Sequence, residues 1–315
     1  LIDTVKILWP SGKYQEKYKV KVNTSVTFNE SEAIDFKEKP NTQNNTLFTK
    51  VQSSIDFTHK ENVFNDFAKE VLLPYKQSTL GPFINKGDVN NDGKEDLYIG
   101  GAHGQPGQLF IQTENGFAKV DNKVFEEDAQ YEDMESLFID IDNDHDNDLY
   151  VVSGGTEFAE RSENLKDRIY INDGKGNFTR STSKEINDYT ISGKTITKID
   201  FDKDGDDDII VGNRIKPQKY PLYDPSLIYE NVNGTLINVT AKIAPDFENF
   251  GIINKVIATD FNNDGWVDFI AVGEWTHIGM FLNDHGVFKD ISSQSNLDTE
   301  NGWWYNVTEI DINND

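Results

Sequence analysis

The chain has 315 residues, of which 30 are lysine or arginine and 55 are aspartate or glutamate, so its formal net charge is −25. This acidity argues against binding to nucleic acids or to anionic membrane surfaces, because both carry the same sign of charge. Aromatic residues make up 12% of the chain and hydrophobic residues 36%, which is enough to bury a core. The absence of cysteine excludes disulfides, thiol nucleophiles and cysteine-ligated zinc, and no run approaches the roughly 18 apolar residues of a transmembrane segment.

A nine-residue acidic motif recurs along the chain from residue 88 onward. Its copies start 51 to 60 residues apart, which is the spacing of a structural repeat. The complete copies are Asp88-Val-Asn-Asn-Asp-Gly-Lys-Glu-Asp96, Asp140-Ile-Asp-Asn-Asp-His-Asp-Asn-Asp148, Asp200-Phe-Asp-Lys-Asp-Gly-Asp-Asp-Asp208 and Asp260-Phe-Asn-Asn-Asp-Gly-Trp-Val-Asp268. A fifth copy begins at Asp311 and stops after five residues, so we interpret the chain as part of a longer polypeptide.

The segments around each acidic motif repeat as well. An alternating segment such as 194–199 precedes the motif, a short apolar run such as 97–101 follows it, and a second run and a glycine-containing turn come next. Four short β-rich runs per unit predict four strands. We therefore predict an all-β fold, a β-propeller of four-stranded blades with four complete blades and part of a fifth in this chain. A β-sandwich or a parallel solenoid could use the same strands, but the regular spacing favours the propeller.

The acidic motifs have the composition of cation-binding loops. Several carboxylates cannot all be ionised at close range in a short loop unless a cation lies among them. Aspartate and asparagine offer only hard oxygen ligands, which suit Ca²⁺ first and Mg²⁺ second. By analogy with the EF-hand loop, positions 1, 3 and 5 supply side-chain oxygens, position 7 its backbone carbonyl and position 9 a closing carboxylate. Position 6 is glycine in three complete copies, consistent with a bend that needs positive φ, and His145 in the second.

We predict about one Ca²⁺ per acidic loop. The predicted metal-binding residues are Asp88, Asn90, Asp92, Lys94 and Asp96; Asp140, Asp142, Asp144, Asp146 and Asp148; Asp200, Asp202, Asp204, Asp206 and Asp208; Asp260, Asn262, Asp264, Trp266 and Asp268; and Asp311, Asn313 and Asp315. A metal-free turn rich in aspartate and asparagine is the alternative for any single copy. A catalytic role for these carboxylates is disfavoured, since a general acid needs one perturbed group in one cleft.

The repeated Asp-x-Asp/Asn-x-Asp-Gly-x-x-Asp motif, followed by an apolar strand and glycine, resembles the FG-GAP/VCBS repeat, which builds calcium-loaded propellers. Residues 5–13 and 27–30 resemble the end of an ASPIC/UnbV domain. The segments 57–59, 72–74 and 80–82 are similar to those of bacterial proteins that pair this domain with VCBS repeats, proteins similar to cartilage acidic protein and frequent in Bacteroidetes.

This resemblance implies a division of the chain and a cellular location. Residues 1–32 would be the C-terminal part of an ASPIC/UnbV-like β domain, 33–45 a linker, and 46–315 a propeller that is incomplete at its C-terminus. It also implies export, with a signal sequence upstream, and lipoprotein anchoring at the bacterial outer-membrane surface. Extracellular calcium is abundant enough to fill weak sites of about 10⁻⁴–10⁻³ M.

A ligand face is predicted opposite the acidic loops, where the second strand of each blade connects to the third. Aromatic and cationic residues there suit a glycan or a surface protein. The candidate residues are Arg214, Lys216, Lys219, Tyr220, Tyr223, Trp275, His277, Trp303, Trp304 and Tyr305. The competing interpretation is that Trp303 and Trp304 pack between blades.

The sequence contains no catalytic motif, so we predict a binding or scaffold module and not an enzyme. The alternative is a propeller-type polysaccharide lyase or hydrolase, for which the candidate residues are His103, Arg214, Tyr223 and His277. A third possibility is a subunit of an outer-membrane nutrient-uptake complex, in which the partner would be a transporter.

Overall fold

The structure is a computed structural model that describes residues 1–36, 48–49, 51–182, 186 and 189–312. The chain divides into two compact units, Leu1–Gln52 and Ser53–Asp315. The first unit contains one sheet, and the others belong to the second unit.

The first unit contains a three-stranded antiparallel sheet in the order β1 (Ile2–Leu8), β2 (Lys13–Val20) and β3 (Ile34–Asp35). The turn between β1 and β2 closes through Gly12, whose φ of 82° favours glycine. The third strand pairs with Lys13 and Tyr14 of β2. The start of the predicted 33–45 linker is therefore part of this sheet. The rest of that predicted linker, residues 37–45, lies outside the described residues.

Within the described residues, the second unit contains four antiparallel sheets, in each of which four successive strands pair along the chain, and a short fifth strand extends the last sheet. The first sheet comprises β4 (Ile84–Gly87), β5 (Asp96–Ile99), β6 (Gln108–Thr113) and β7 (Gly116–Val120), and the second β8 (Asp133–Ile139), β9 (Asp148–Ser153), β10 (Arg168–Asn172) and β11 (Phe178–Arg180). The third comprises β12 (Gly193–Ile199), β13 (Asp208–Asn213), β14 (Leu227–Val232) and β15 (Thr235–Asn238), and the fourth β16 (Ile252–Thr259), β17 (Asp268–Thr276), β18 (Gly279–Asn283) and β19 (Phe288–Asp290). These sheets are blades 1 to 4 of a β-propeller, which confirms the predicted fold class.

Apolar side chains between successive blades form the core. In β9, Leu149 and Val151 pack towards blade 1, whereas Tyr150 and Val152 pack towards blade 3. Successive side chains of a strand point to opposite faces, and a blade inside the ring has a neighbour on both faces. The second strands are therefore apolar throughout instead of alternating with polar residues. Each fully buried large apolar side chain contributes roughly 1.5–3 kcal/mol, so the contacts between blades stabilise the unit.

Short helical segments lie in several connections between strands. In the described part of the chain, the α-helices of four or more residues are α1 (Lys123–Glu127), between blades 1 and 2, and α2 (Thr240–Ile243) and α3 (Pro245–Glu248), between blades 3 and 4. The 3-10 turns there are Glu30–Glu32, Asp66–Ala68, Glu163–Leu165 and Ser292–Ser295. Phe125 and Phe247 from α1 and α3 insert into the core between blades. Of the helices in the part of the chain that the structure describes, none has the length and apolar character needed to span a bilayer.

The segment predicted to begin a fifth blade pairs with blade 4. The two-residue strand β20 (Gly302–Trp303) lies against the end of β17, with Trp303 opposite Glu274 and Gly302 opposite Thr276. Residues 304–312 form no further strand in the structure. Within the described residues, the predicted fifth blade is therefore represented by an extension of the fourth sheet.

Candidate metal loops and ligand face

Each acidic loop connects the first and second strands of a blade, and its ninth residue is the first residue of the second strand. Two residues of each loop have left-handed backbone conformations. Position 6 has φ of 82° at Gly93 and 73° at His145, which confirms the predicted bend. Position 4 also has positive φ, for example 58° at Asn91, a conformation that asparagine tolerates better than most residues. In loops 2 and 3 the side chains at positions 1, 3 and 9 come together.

The carboxylate at position 1 folds the loop around itself. Asp88 Oδ1 accepts the backbone N–H of Asp92 at 3.2 Å, and its Oδ2 accepts that of Gly93 at 2.7 Å. Asp140 and Asp260 make the equivalent pairs of hydrogen bonds in loops 2 and 4. Three of the four loops are therefore closed by their own first residue.

The carboxylate at position 9 is buried and connects the loop to the third strand. In blade 3, Asp208 Oδ2 accepts the N–H of Phe201 at 3.2 Å, and Oδ1 accepts the N–H of Asn231 at 2.8 Å. Asp96, Asp148 and Asp268 accept the same two kinds of N–H in the other blades. Burial raises the pKa of Asp148 to about 7 and that of Asp208 to about 8, although these hydrogen bonds act in the opposite direction.

Loops 2 and 3 have side chains that fit a hard cation. Carboxylate oxygens of Asp140, Asp142 and Asp148, and those of Asp200, Asp202 and Asp208, lie within 4.8 Å of one another. In the same two loops, Oδ1 of Asp146, of Asp200 and of Asp206 is buried without a hydrogen-bond partner. Such a set of clustered oxygens is repulsive when ionised, and a calcium ion bound there would remove the repulsion.

Position 5 also bonds within its own loop, and the predicted ligand roles of positions 5 and 7 stay predictions. Oδ1 of Asp92, Asp144, Asp204 and Asp264 accepts the N–H of position 7 in its own loop. Lys94 at position 7 reaches Asp92 Oδ2 at 3.6 Å, and the Trp266 ring lies 4.3 Å from Lys203 Nζ of the preceding blade. In the fifth copy, Asp311 is described, whereas Asn313 and Asp315 lie outside the described residues.

An asparagine at the end of the third strand connects each blade to the acidic loop of the preceding blade. We call these three residues the interblade asparagines. Each donates from Nδ2 to the backbone carbonyl at position 2 of the preceding loop and accepts on Oδ1 the N–H of a turn glycine in its own blade. The pairs are Asn172 with Val89 (2.8 Å), Asn231 with Ile141 (3.0 Å) and Asn283 with Phe201 (2.8 Å). The sequence reading did not assign this role, since an asparagine before a glycine is also an ordinary turn residue.

The prediction that Arg214 belongs to an exposed ligand face is wrong, because its side chain is only 2% exposed. The guanidinium donates to Glu274 Oε1 and to Gln77 Oε1, both at 2.7 Å, and also bonds to Asn254. An arginine can be buried in this way when its charge is paired and its terminal nitrogens are hydrogen-bonded, although the Nε of Arg214 has no partner among the described residues. Arg214 and Glu274 therefore form a buried ion pair beneath the predicted ligand face.

Above this ion pair lies a group of aromatic residues, which we call the aromatic cluster: Tyr75, Tyr220, Trp275, Trp303 and Tyr305. Trp275 is 57% exposed, and its Nε1 donates to the Tyr220 hydroxyl at 2.7 Å. Its ring packs edge-to-face on Trp303 at 5.1 Å, and Tyr75 lies between Trp303 and Tyr305. The Tyr75 hydroxyl bonds to Glu274, and burial raises its pKa to about 12, so it stays a donor. The cluster is thus held from below by the buried ion pair.

Tyr75 and Gln77 come from the irregular segment 53–83 before blade 1, which the sequence analysis did not assign to the ligand face. Leu73 of that segment packs on Ile215 and Ile252. The only sequence signal was the Leu-Leu-Pro-Tyr string at 72–75, where apolar residues lie outside any predicted strand.

The other predicted ligand residues are engaged elsewhere. Trp304 is fixed to blade 4, since its backbone N–H donates to the Gly273 carbonyl and its Nε1 to the Thr276 carbonyl. Three of the others form ion pairs or charged contacts: Lys216 with Asp224 (3.5 Å), Lys219 with Glu160, and His277 with Asp290 (3.2 Å). The Tyr223 hydroxyl donates to the Asn249 carbonyl at 3.1 Å.

The four candidate residues of the enzyme alternative each have separate partners. Arg214 pairs with Glu274 and His277 with Asp290, while Tyr223 binds a backbone carbonyl. His103 Nδ1 lies 3.1 Å from Asn62 Nδ2, and its ring packs on Phe158. The enzyme alternative stays a prediction, which an activity screen on acidic polysaccharides would test.

Four-stranded blades with an acidic loop between the first two strands define a β-propeller of the repeat type. The chain carries FG-GAP-like repeats, matched over residues 88–151 and 140–211, and an ASPIC and UnbV segment, matched over residues 1–35. The predicted repeat and domain types are thereby confirmed, whereas a bacterial origin and a likeness to cartilage acidic protein stay predictions. No curated protein sequence matches the chain.

Among solved structures, the chain is similar to a lectin of Agrocybe aegerita. That structure is described as the basis of the lectin's specific recognition of non-reducing terminal N-acetylglucosamine. The identity is 20%, the match covers 67% of this chain and 52% of that chain, and the TM-score is 0.44. The chain thus spans about half the length of the lectin chain.

Proposed function

We propose that this protein is a calcium-stabilised propeller module that binds a glycan through the aromatic cluster. The observation that carries the proposal is the exposure of Trp275 and Tyr305, at 57% and 54%, directly above the buried Arg214–Glu274 pair. Single exposed apolar side chains are common, whereas a contiguous exposed group of aromatic residues is typical of an interaction site. These rings are available to a ligand, and the groups beneath them are fixed.

The chemistry of the cluster suits a sugar. A pyranose ring has apolar C–H faces that pack on aromatic rings and hydroxyl groups that need hydrogen-bond partners. Tyrosine and tryptophan supply both kinds of contact and lose little conformational entropy on binding, because they have only two side-chain torsions. The hydrogen bond from Trp275 to Tyr220 and the bond from Tyr75 to Glu274 restrict these side chains further. A protein partner with its own aromatic anchor is the other outcome of the test below.

Calcium has a structural role in this proposal. The acidic loops lie at the opposite ends of the strands from the connections that carry Trp275 and Tyr220. Because the interblade asparagines bind these loops, an ion bound there would stabilise the contact between blades. Weak oxygen-ligand sites fill at the calcium concentrations found outside cells, so we propose an extracellular location.

A glycan array, probed in calcium with the wild-type protein and with Trp275→Ala, tests the proposal. We expect the variant to lose binding by about 30-fold or more, since a central aromatic contact typically contributes about 2 kcal/mol or more. Trp266→Ala is the matched control, because it removes a tryptophan from the loop side of the same blade. Binding by Trp275→Ala equal to that of the wild type, or no glycan bound by the wild type, would refute the proposal.

A further inference from the structure

Three glutamates lie near enough to act on one another electrostatically, on the side of the propeller opposite the acidic loops. Glu61 belongs to the irregular segment before blade 1, Glu132 directly precedes β8, and Glu157 follows β9. A Cβ atom placed on Gly155 would lie 2.4 Å from Glu157 Oε2 and 3.3 Å from Glu132 Cγ, so these two side chains border the same small space. The glutamates come from three separate parts of the chain, unlike the carboxylates of an acidic loop.

Each of the three glutamates uses one oxygen and leaves the other without a partner. Glu132 Oε2 accepts the N–H of His103 at 2.8 Å, and Glu157 Oε2 accepts that of Thr156 at 2.9 Å. Glu61 Oε1 lies 2.9 Å from His59 Nε2. The second oxygens, Glu61 Oε2, Glu132 Oε1 and Glu157 Oε1, are all buried and have no hydrogen-bond partner.

A neutral side chain adds a fourth free oxygen. Asn62 uses its Nδ2 on His103 Nδ1 at 3.1 Å, and its Oδ1 is buried without a partner. Asn62 and Glu132 are thus both tied to His103, one through the ring and one through the backbone N–H. Glu132, at 1% exposure, cannot satisfy its free oxygen from bulk water.

The charge of this group is not balanced by the protein. Within the described ranges, no lysine or arginine forms an ion pair with Glu61, Glu132 or Glu157, and His59 is the one basic side chain in contact. Burial, and secondarily nearby carboxylates, raise the pKa of Glu132 and of Glu157. Ionised groups are rarely buried without a compensating charge, so the group needs a cation or retained protons.

We propose that Glu61, Glu132, Glu157 and Asn62 form a second type of cation site, which takes a single Ca²⁺ ion. Four free oxygens from carboxylates and an amide are the ligands that calcium prefers, and water can complete its coordination. The three carboxylates do not approach one another within 4.8 Å as those of loops 2 and 3 do, so binding draws Glu61 and Glu157 inward. The ion fastens the irregular segment to blade 2, and this segment also carries Tyr75 of the aromatic cluster.

The test counts bound calcium by equilibrium dialysis and follows thermal unfolding in calcium and in chelator. Glu132→Gln keeps an oxygen for the His103 N–H but removes the charge. We expect it to bind one calcium fewer than the wild type, to unfold at a higher temperature than the wild type in chelator, and to gain less from added calcium. Glu157→Gln, at a half-buried position, should give the same loss if Glu132→Gln fails to fold.

Glu135→Gln is the matched control, because Glu135 lies on β8 and is already paired with Lys255. It should leave the calcium count unchanged. Equal calcium counts in the wild type, Glu132→Gln and Glu157→Gln would overturn the proposal. So would equal losses of stability for both variants with and without calcium, since this would indicate a purely structural role. None of these results depends on glycan binding, so this proposal and the proposed function can fail separately.

Discussion

The interblade asparagines allow the connection between blades to be measured with one substitution. Asn231→Ala removes the donor to the Ile141 carbonyl and the acceptor for the Gly234 N–H. The side chain of Asn231 is fully buried, and Ile141 is only 3% exposed, so water cannot replace the first of these bonds. A buried polar group left without a partner costs about 1–3 kcal/mol. The Gly234 N–H lies nearer the surface and adds less, which gives a total of about 2–4 kcal/mol.

The assay is thermal unfolding followed by circular dichroism, with calcium present throughout. For a unit of this size the expected loss corresponds to a decrease in Tm of roughly 5–10 °C. Gln112→Ala is the matched control, because Gln112 occupies the equivalent position in blade 1. Its backbone N–H bonds to Asp96, but in the described part of the chain its side chain has no interblade partner. We expect it to change stability by less than about 0.5 kcal/mol. Equal decreases in Tm for the two variants would refute the reasoning.

Two further predictions concern the acidic loops and the core. Without calcium, Asp148 and Asp208 have pKa values of about 7 and about 8 when folded, above about 3.9 for an unfolded aspartate. The folded state then binds more protons, so the stability of the calcium-free protein falls as pH rises from about 4 to about 8. We expect chelator to lower Tm more at pH 8 than at pH 5, and an equal effect at both would contradict this. Asp133→Ala, which leaves buried Arg168 unpaired, should cost about 3–5 kcal/mol in chemical denaturation. The exposed control Lys123→Ala should cost less than about 0.5 kcal/mol, and similar losses for both would count against a role for the buried pair.

The blades and the acidic loops could be predicted because their signals are local and repeated. Apolar runs of strand length and glycine turns can each be recognised from a few consecutive residues. The recurrence of the acidic loop then predicts which two strands of each blade it connects. Position 6 is an example: a glycine in most copies predicted the positive φ that Gly93, Gly205 and Gly265 adopt. Even His145 follows the pattern, since the rest of the loop determines its backbone.

Contacts between distant segments could not be predicted in this way. Arg214 was assigned to the surface because it follows a strand, yet its partners Glu274 and Gln77 are 60 and 137 residues away. Glu132 gave no signal, since an acidic residue between Tyr131 and Asp133 is typical of an exposed turn. It is nevertheless buried, and it holds the N–H of His103, which lies 29 residues before it in the chain. Sequence periodicity locates the strands, whereas such long-range packing decides which polar residues are buried.

The interblade asparagines also give the assembly of the propeller a direction. In every pair the later blade supplies the donor, and the earlier blade supplies the carbonyl of a residue whose own N–H is already bonded to the position 9 carboxylate of the same loop. An earlier blade can therefore complete its loop before its successor exists, whereas the successor needs that loop to satisfy its own asparagine. Since synthesis also proceeds from the N-terminus, each finished blade serves as the template on which the next one docks. Calcium bound during synthesis would order each acidic loop before the next blade docks on it.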